Sequence, residues 1–314
     1  LITDLLLRAR SQPGYFSTFY KRRALRIFPA YYAALLICLA LLREPLGLTK
    51  VTVPTTLALA GYIANWWAVF AWGDLPVALQ HLWSLAIEEQ FYLAWPLLLL
   101  LLKPRQLPLM CGTMMLGSLL VRFHLVSSGQ SSAAYVATLA RLDGLAGGAL
   151  LAVLASSGRF PGRRTLAVAA GAGAAAVALV VVKTGWFFFS EPVWAPTVGI
   201  SGVSLLAFAL VGLCVPVGGV VPSGGLLSSR VLRLFGRYSY GLYIWHQPVV
   251  VWMSRSRWPE RLLPADAGLL QTQLLWYASG VVFSLAAAAL SYHVVEAFFL
   301  RLRDRHGPKP ALSG

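Results

Sequence analysis

Proton-carrying side chains interrupt an otherwise apolar stretch that runs from His81 to Tyr92, His-Leu-Trp-Ser-Leu-Ala-Ile-Glu-Glu-Gln-Phe-Tyr. At about 100° per residue, a helix over 80–102 would place His81, Ser84, Glu88 and Tyr92 on one narrow stripe. Carboxylates and imidazoles transfer protons near neutral pH. An ionised carboxylate inside a bilayer costs about 2.5–3.5 kcal/mol on insertion scales, so Glu88 indicates a functional site. The alternatives are a structural ion pair or, for His81, a solvated helix start.

Two arginines lie at the start of the first long apolar segment. Arg23 and Arg26 are three residues apart, so one helix face would carry both. Two guanidinium groups can grip a phosphate through bidentate hydrogen bonds. The alternative is an anchor that only orients the first span.

A third polar cluster is Arg141-Leu-Asp-Gly-Leu-Ala-Gly-Gly148. In a span over 134–155, Arg141 would lie seven residues, about 10 Å, below the surface and would need an anion. Glu88 is a candidate partner, whereas Asp143 points to nearly the opposite side of the helix. A substrate contact and a structural salt bridge both remain open for Arg141.

A fourth cluster lies in a predicted span over 238–253, where Ser239, Tyr243 and His246 share one side. The imidazole of His246 is a possible acid or base, and a hydrogen-bonded core histidine is the alternative. Near the end of the last span, His293 and Glu296 would pair with nearby arginines.

The elements that position these clusters are membrane helices. The chain has 314 residues, of which 58% are hydrophobic and only 12% charged, and its mean hydropathy is +0.69. This composition predicts an all-α, polytopic transmembrane bundle. Eight spans are predicted, near 24–42, 80–102, 107–121, 134–155, 165–182, 193–217, 238–253 and 269–298. A ninth apolar stretch, 51–72, contains Pro54, Gly61 and Asn65 and fits an interfacial or re-entrant element.

The distribution of basic residues predicts the orientation. If 51–72 does not cross, most of the 26 Lys and Arg fall in alternate loops, with Arg122 among the few on the opposite side. Because basic loops stay in the cytoplasm, both ends of the chain are predicted to be cytoplasmic, in a multi-pass protein of the inner (cytoplasmic) membrane. The net charge of +15 then needs no nucleic-acid partner. Cys38, Cys111 and Cys214 lack metal-ligand spacing, and no metal site is predicted.

Together these stretches resemble the acyltransferase-3 family of membrane O-acyltransferases, the O-antigen acetylase type. The resemblance rests on Arg-Arg-Ala-Leu-Arg-Ile-Phe-Pro-Ala-Tyr-Tyr, His-Leu-Trp-Ser-Leu-Ala-Ile-Glu-Glu-Gln-Phe-Tyr, Arg-Leu-Asp-Gly-Leu-Ala-Gly-Gly-Ala-Leu, Tyr-Ser-Tyr-Gly-Leu-Tyr-Ile-Trp-His and Ser-Tyr-His-Val-Val-Glu. These motifs follow one another in order over nearly the whole chain.

The resemblance implies transfer of an acyl group, expected to be acetyl, from cytoplasmic acyl-CoA to a hydroxyl of a carbohydrate or a glycosylated small molecule. It implies no bound cofactor. Arg23 and Arg26 match the family's Arg-x-x-Arg motif, which is associated with the acyl donor, and Glu88 matches the acid of its Ser-Leu-x-x-Glu motif. His81, Ser84, Tyr92, Arg141, Tyr243 and His246 are then possible acceptor-site or structural residues.

The chain departs from the family pattern at its start. Family members carry two further spans there, the first with a histidine thought to act as general base, and Leu1-Ile-Thr resembles the end of the second. We therefore expect an N-terminally incomplete membrane domain over 1–303, inactive alone, and a cytoplasmic tail over 304–314. Gene decay is one alternative, and a transporter or flippase with a Glu88, Arg141 and His246 relay is another. The acceptor, the acyl chain length and the oligomeric state remain open.

Overall fold

The computed structural model describes residues 1–185, 193–215, 229–258, 260–263 and 267–305. It is 83% helical, and its described residues contain no strand. The all-α prediction is therefore confirmed.

Thirteen α-helices lie in the described residues, joined by short 3₁₀ and π segments. They are α1 (Ile2–Ala9), α2 (Tyr15–Leu36), α3 (Val53–Ala60), α4 (Ala64–Ala71), α5 (Trp83–Leu101), α6 (Leu107–Ser127), α7 (Ser131–Val136), α8 (Leu142–Ser156), α9 (Arg163–Thr184), α10 (Ile200–Cys214), α11 (Arg230–Ser256), α12 (Leu269–Ser291) and α13 (Ala297–Arg305).

Seven helical segments of the described chain are long and apolar enough to cross a membrane. They are Tyr15–Leu41, Val77–Leu101, Leu107–Ser127, Thr138–Ser156, Arg163–Thr184, Ala195–Cys214 and Leu269–Asp304. Each corresponds to one predicted span. The eighth prediction, 238–253, lies within α11, whose 27 residues extend about 40 Å. Tyrosine, tryptophan, histidine and glutamine in the middle of α11 make it less hydrophobic than the other seven. The end of the predicted span 193–217 and all but the start of the predicted tail lie outside the described residues.

The doubtful stretch 51–72 forms two short helices, α3 and α4. Each has eight residues and so extends about 12 Å, which is too short to cross a bilayer. The Thr52 hydroxyl caps α3 by accepting a hydrogen bond from the Thr55 amide. Between the two helices, Tyr62 adopts a φ of 53°, in the left-handed region.

The predicted helix over 80–102 is α-helical only from Trp83 onward. Residues Val77–Leu82 form a 3₁₀ helix, and α5 begins only at Trp83. His81 therefore lies in the 3₁₀ helix, whereas Ser84, Glu88 and Tyr92 lie on α5. Within α5 the prediction holds, because the Tyr92 hydroxyl donates to Glu88 Oε2 at 3.3 Å.

The membrane-length segment that carries Arg141 begins later than predicted. Ala137 is extended, with φ −66° and ψ 137°, and separates α7 from the 3₁₀ turn Thr138–Arg141. The membrane-length segment starts at Thr138, so Arg141 is its fourth residue rather than one buried about 10 Å inside it. An apolar sequence pattern does not reveal such a single-residue break.

Helix packing divides the described chain into two compact units. Unit 1 contains Leu1–Pro13, Tyr62–Trp72 and the described part of Trp83–Gly225. Its tightest helix crossing joins α9 to α10 at Gly173 and Gly202. A Cβ on Gly173 would lie 2.7 Å from the Leu206 amide nitrogen, so glycine is required for this approach.

Unit 2 contains Gly14–Gly61, Gly73–Leu82 and the described part of Leu226–Gly314. Here α11 packs against α12 and also contacts α2. A Cβ on Gly241 would lie 3.1 Å from backbone atoms of Ala288, which brings α11 and α12 close together. Each unit carries part of the polar residues that the sequence singled out.

Candidate active site

Unit 2 holds the predicted donor-binding arginines on α2. Arg26 is exposed and Arg23 is half-buried. Arg26 interacts electrostatically with Glu296, whose carboxylate is buried in the π segment Tyr292–Glu296 and accepts a hydrogen bond from the Ser291 hydroxyl at 3.4 Å. Arg26 therefore lies close enough for its charge to act on the Glu296 carboxylate. One exposed guanidinium beside a buried counterion can still present its outer edge to a phosphate.

The same π segment places an imidazole beside a phenol. His293 Nε2 lies 3.1 Å from the Tyr238 hydroxyl of α11. A π segment inserts an extra residue into the helical turn and so re-aims the side chains that follow it. This local irregularity brings α11 and the last span together through polar groups.

A second cluster in unit 2 is the imidazole pair, which we define as His81 and His246. Their ring centroids are 4.8 Å apart, with an angle of 70° between the rings. The Tyr243 ring lies 5.3 Å from His81 and 5.7 Å from His246. Both histidines are half-buried. The sequence identified each of these three residues, but it did not predict that they would meet.

Backbone carbonyls fix the proton positions on the imidazole pair. His246 Nδ1 lies 2.6 Å from the Tyr243 carbonyl oxygen and 3.2 Å from that of Leu242. Since a carbonyl oxygen only accepts, Nδ1 carries the hydrogen, and Nε2 of neutral His246 is left as a base. His81 Nε2 lies 3.2 Å from the Ile244 carbonyl oxygen, so by the same argument its Nδ1 carries the lone pair.

Further contacts hold this arrangement in place. The Tyr243 hydroxyl donates to the His81 carbonyl oxygen at 2.6 Å, and the Gln247 amide donates to the Val77 carbonyl oxygen at 2.6 Å. His81 Nδ1 is buried and has no hydrogen-bond partner among the described residues. No group of three potential metal ligands forms there or elsewhere in the described chain. An imidazole can accept or donate a proton near neutral pH.

Two contacts show that α2 and α11 run in the same direction where they meet. The Tyr240 hydroxyl donates to the Ile27 carbonyl oxygen at 2.8 Å. Further along both helices, Tyr31 and Tyr243 interact electrostatically.

This pairing sets the spacing between the two clusters of unit 2. Arg23 precedes Ile27 by four residues, or about 6 Å along α2, and His246 follows Tyr240 by six residues, or about 9 Å along α11. The arginine pair (Arg23 and Arg26) and the imidazole pair therefore lie about 10–15 Å apart along the common helix direction.

Unit 1 contains the predicted carboxylate on α5. Glu88 is half-buried, and its neighbour Tyr92 is buried and donates a hydrogen bond to it. Ser84 is half-buried one turn earlier on the same helix. A half-buried carboxylate that already accepts from a phenol can also accept from a second hydroxyl.

Sequence reasoning missed the amide network beside Glu88. The Gln90 amide donates to the side-chain Oδ1 of Asn65 at 2.9 Å and to the Tyr62 backbone oxygen at 3.0 Å, and its Oε1 accepts from the Thr138 hydroxyl at 2.5 Å. Asn65 is fully buried and also donates to the Val136 carbonyl oxygen at 3.3 Å. This network ties α4, α5 and the turn before Arg141 together. The signal for it was an asparagine inside an apolar stretch, because a buried amide needs partners.

Arg141 lies against aromatic rings. Its guanidinium carbon is 5.6 Å from the Trp83 ring centroid and 5.4 Å from that of Tyr135. Glu88 was its candidate partner, but no salt bridge joins the two side chains in the described chain. Burial raises the pKa of Tyr135 to about 12, although the charge of Arg141 acts in the opposite direction. The phenol therefore stays neutral at physiological pH and supplies Arg141 with a ring face rather than a counterion.

Asp143, which the sequence placed on the side of its helix opposite Arg141, is bound by Arg122. Arg122 is fully buried, and its Nη2 lies 2.7 Å from Asp143 Oδ2 and 2.7 Å from Ser201 Oγ. Placing Arg122 in a loop was wrong, because α6 continues to Ser127. Helix periodicity along one span cannot reveal a partner on another span.

The segments that carry these clusters match a known family. The family model described as an acyltransferase domain, acyltransferase-3, matches residues 4–293. The chain belongs to the acyltransferase-3 family.

Bacterial relatives of the chain are named as O-acetyltransferases, and some of these names specify peptidoglycan. The chain is 30% identical over 94% of its length to YrhL of Bacillus subtilis, which is provisionally named a peptidoglycan O-acetyltransferase. It is 26% identical over 94% of its length to the O-acetyltransferase OatA of Staphylococcus aureus and 30% identical over 80% to the peptidoglycan O-acetyltransferase OatA of Listeria monocytogenes. These alignments cover 48%, 50% and 43% of the relatives, so the chain spans about half their length. No solved structure matches it.

Membership confirms the resemblance and favours the acyltransferase prediction over the transporter alternative. The family motifs of this chain lie on α2, on Val77–Leu101, on Thr138–Ser156 and on α11. These are the elements that carry the arginine pair, Glu88, Arg141 and His246.

Proposed function

We propose that this acyltransferase moves an acetyl group from acetyl-CoA to a hydroxyl of a cell-envelope carbohydrate. Relatives named as peptidoglycan O-acetyltransferases support a glycan acceptor, and peptidoglycan is the first to test. Acetyl-CoA fits as the donor, because its phosphates suit the arginine pair and its thioester is an activated acyl group. No bound cofactor is needed.

The observation that carries the proposal is the arrangement within unit 2. The arginine pair and the imidazole pair lie about 10–15 Å apart along α2 and α11. CoA likewise separates its phosphates from its thioester by an extended arm. In the proposed complex, Arg23 and Arg26 hold the phosphates through charge-assisted hydrogen bonds, and the thioester lies near His246.

In the proposed step, an acceptor hydroxyl oxygen attacks the thioester carbonyl carbon. The resemblance implies a base in the further N-terminal spans, and we propose that Nε2 of His246 is the proton acceptor within this chain. The Tyr243 carbonyl holds the Nδ1 hydrogen and stabilises the imidazolium that forms. The carbon–sulfur bond then breaks, and the proton is transferred to the thiolate. The products are the O-acetyl ester and CoA with a free thiol. No oxidant or metal is required.

The roles we propose in unit 1 concern the acceptor. Glu88, with Tyr92 bound to it, accepts a hydrogen bond from a sugar hydroxyl, and Ser84 lies on the same helix. We propose that residues 1–303 form one membrane domain in the cytoplasmic membrane and that the arginine pair faces the cytoplasm. The donor then binds from the cytoplasmic side and the tail from 304 is cytoplasmic.

The test uses inverted membrane vesicles from cells that express the whole gene product. Vesicles receive [¹⁴C]acetyl-CoA and peptidoglycan fragments or short neutral glycans, and base-labile label in the glycan is counted. We expect label transfer that depends on the protein and on acetyl-CoA. Transfer equal to that of vesicles without the protein, over all glycans offered, would contradict the proposed function.

A further inference from the structure

The buried charges around Arg141 do not balance. Arg141 interacts electrostatically with both Asp143 and Arg122. Asp143 binds Arg122 through Oδ2, and its Oδ1 accepts from the Gly144 amide at 3.0 Å. Two guanidinium groups thus share one carboxylate whose oxygens are both engaged. The cluster keeps one uncompensated positive charge.

Within the described chain, the Arg141 guanidinium makes no hydrogen bond or salt bridge with protein groups. Its guanidinium carbon lies over the rings of Trp83 and Tyr135, and the side chain is half-buried. Ring contacts use the face of a guanidinium and leave the N–H groups at its edge to donate. Arg141 is also only the fourth residue of its membrane-length segment, where a polar ligand can reach it.

We propose that Arg141 is the anion-binding residue of unit 1 and takes a carboxylate or phosphate group. Resting on the proposed function, this makes the acceptor an anionic saccharide. A neutral sugar would leave the charge of the cluster unbalanced, whereas one anionic group neutralises it and accepts two parallel N–H donors.

The surroundings of Arg141 make it suited to this role. The two ring contacts restrict the long side chain before the ligand arrives, so less rotamer freedom is lost on binding. Arg122 is fully buried beneath Ser201 and Asp143, so it adds charge without reaching the ligand. The amide network of Gln90 and Thr138 fixes the turn that ends at Arg141.

The test measures binding without acetyl-CoA, so it does not depend on transfer activity. The purified whole gene product in nanodiscs of neutral lipid is titrated with glucuronate, methyl glucoside and inorganic phosphate. A second preparation contains anionic phosphatidylglycerol in the nanodisc. We expect glucuronate or phosphate to bind at least about tenfold tighter than methyl glucoside, and Arg141→Gln to remove this preference.

The variants separate the anion site from general loss of structure. Arg141→Lys keeps the charge but not the planar fork, so we expect intermediate affinity for glucuronate. Arg105→Gln removes an exposed arginine of the same unit and should leave affinity unchanged. If Arg141→Gln does not fold, the affinities of wild type and Arg141→Lys for the three ligands provide the comparison.

The arms also identify the source of the anion. Arg141-dependent glucuronate binding that persists in phosphatidylglycerol nanodiscs assigns the site to a saccharide. Glucuronate binding that occurs in neutral nanodiscs and is lost in phosphatidylglycerol nanodiscs assigns the site to a lipid phosphate and overturns the saccharide assignment. Equal affinity for glucuronate, phosphate and methyl glucoside, or anion binding that Arg141→Gln does not alter, would overturn the proposal.

Discussion

The imidazole rings of His81 and His246 lie 4.8 Å apart, although 164 residues separate them in sequence. Each ring is held through one nitrogen by a backbone carbonyl, which fixes the tautomer and directs the other nitrogen. This is how proteins prepare a histidine to accept a proton. The relationship links a 3₁₀ helix to α11 within unit 2.

Removing the buried partner of Asp143 should destabilise the protein strongly. We expect Arg122→Met to lower the free energy of unfolding by about 3–5 kcal/mol, because a buried carboxylate loses its counterion. Unfolding in mixed micelles measures this loss. Arg8→Met removes an exposed pair with Asp4, with an arginine side chain 77% exposed, and should cost less than about 1 kcal/mol. Equal losses in the two variants would show that the buried pair is not a stabilising contact.

Two glycines of α9 should respond in opposite ways to the same substitution. Gly173→Ala would place a Cβ 2.7 Å from a backbone nitrogen of α10, and we expect a loss of about 1–3 kcal/mol. Gly171 has no neighbour within 4 Å of such a Cβ, so Gly171→Ala should be neutral or slightly stabilising. Thermal unfolding of both variants measures this difference. A Gly173→Ala protein as stable as wild type would contradict the close crossing of α9 and α10.

The sequence predicts the helical class, the positions of the spans and the Glu88–Tyr92 contact, because apolar runs and helix periodicity are local properties. It does not reveal that the turn around His81 is 3₁₀, or that the extended residue Ala137 separates α7 from the turn that ends at Arg141. The sequence also does not reveal which side chains on different spans contact one another. Nothing within α6 indicates that Arg122 binds a carboxylate on α8, and the partners of Asn65 lie more than 20 residues away in sequence.

Donor binding should depend on Arg26. We expect Arg26→Ala to raise the KM for acetyl-CoA by roughly tenfold, because one charge-assisted contact with a phosphate is lost. The value of kcat should change little. Steady-state rates at varied acetyl-CoA check this, and Arg233→Ala serves as a control, because it removes another exposed arginine of unit 2. An unchanged KM in Arg26→Ala would exclude this residue from donor binding.

Anion binding at Arg141 should be independent of pH between about 6 and 9. Arginine stays charged throughout this range. Burial raises the pKa of Tyr135 to about 12, so its phenol is neutral below that pH and forms no competing phenolate. The other charged neighbours are Arg122 and Asp143, which are already paired. Glucuronate titrations at several pH values test this, and affinity that falls as pH rises through about 6.5 would point to a histidine instead.

The transfer rate of His246→Gln tests the central claim most directly. In vesicles with [¹⁴C]acetyl-CoA and a glycan acceptor, we expect kcat to fall by about 100- to 10,000-fold, while the KM for acetyl-CoA stays unchanged. The control is His124→Gln, which replaces an exposed histidine of α6 and should retain the wild-type rate. A His246→Gln protein that transfers acetyl at the same rate as His124→Gln would contradict the assignment of proton transfer to the imidazole pair.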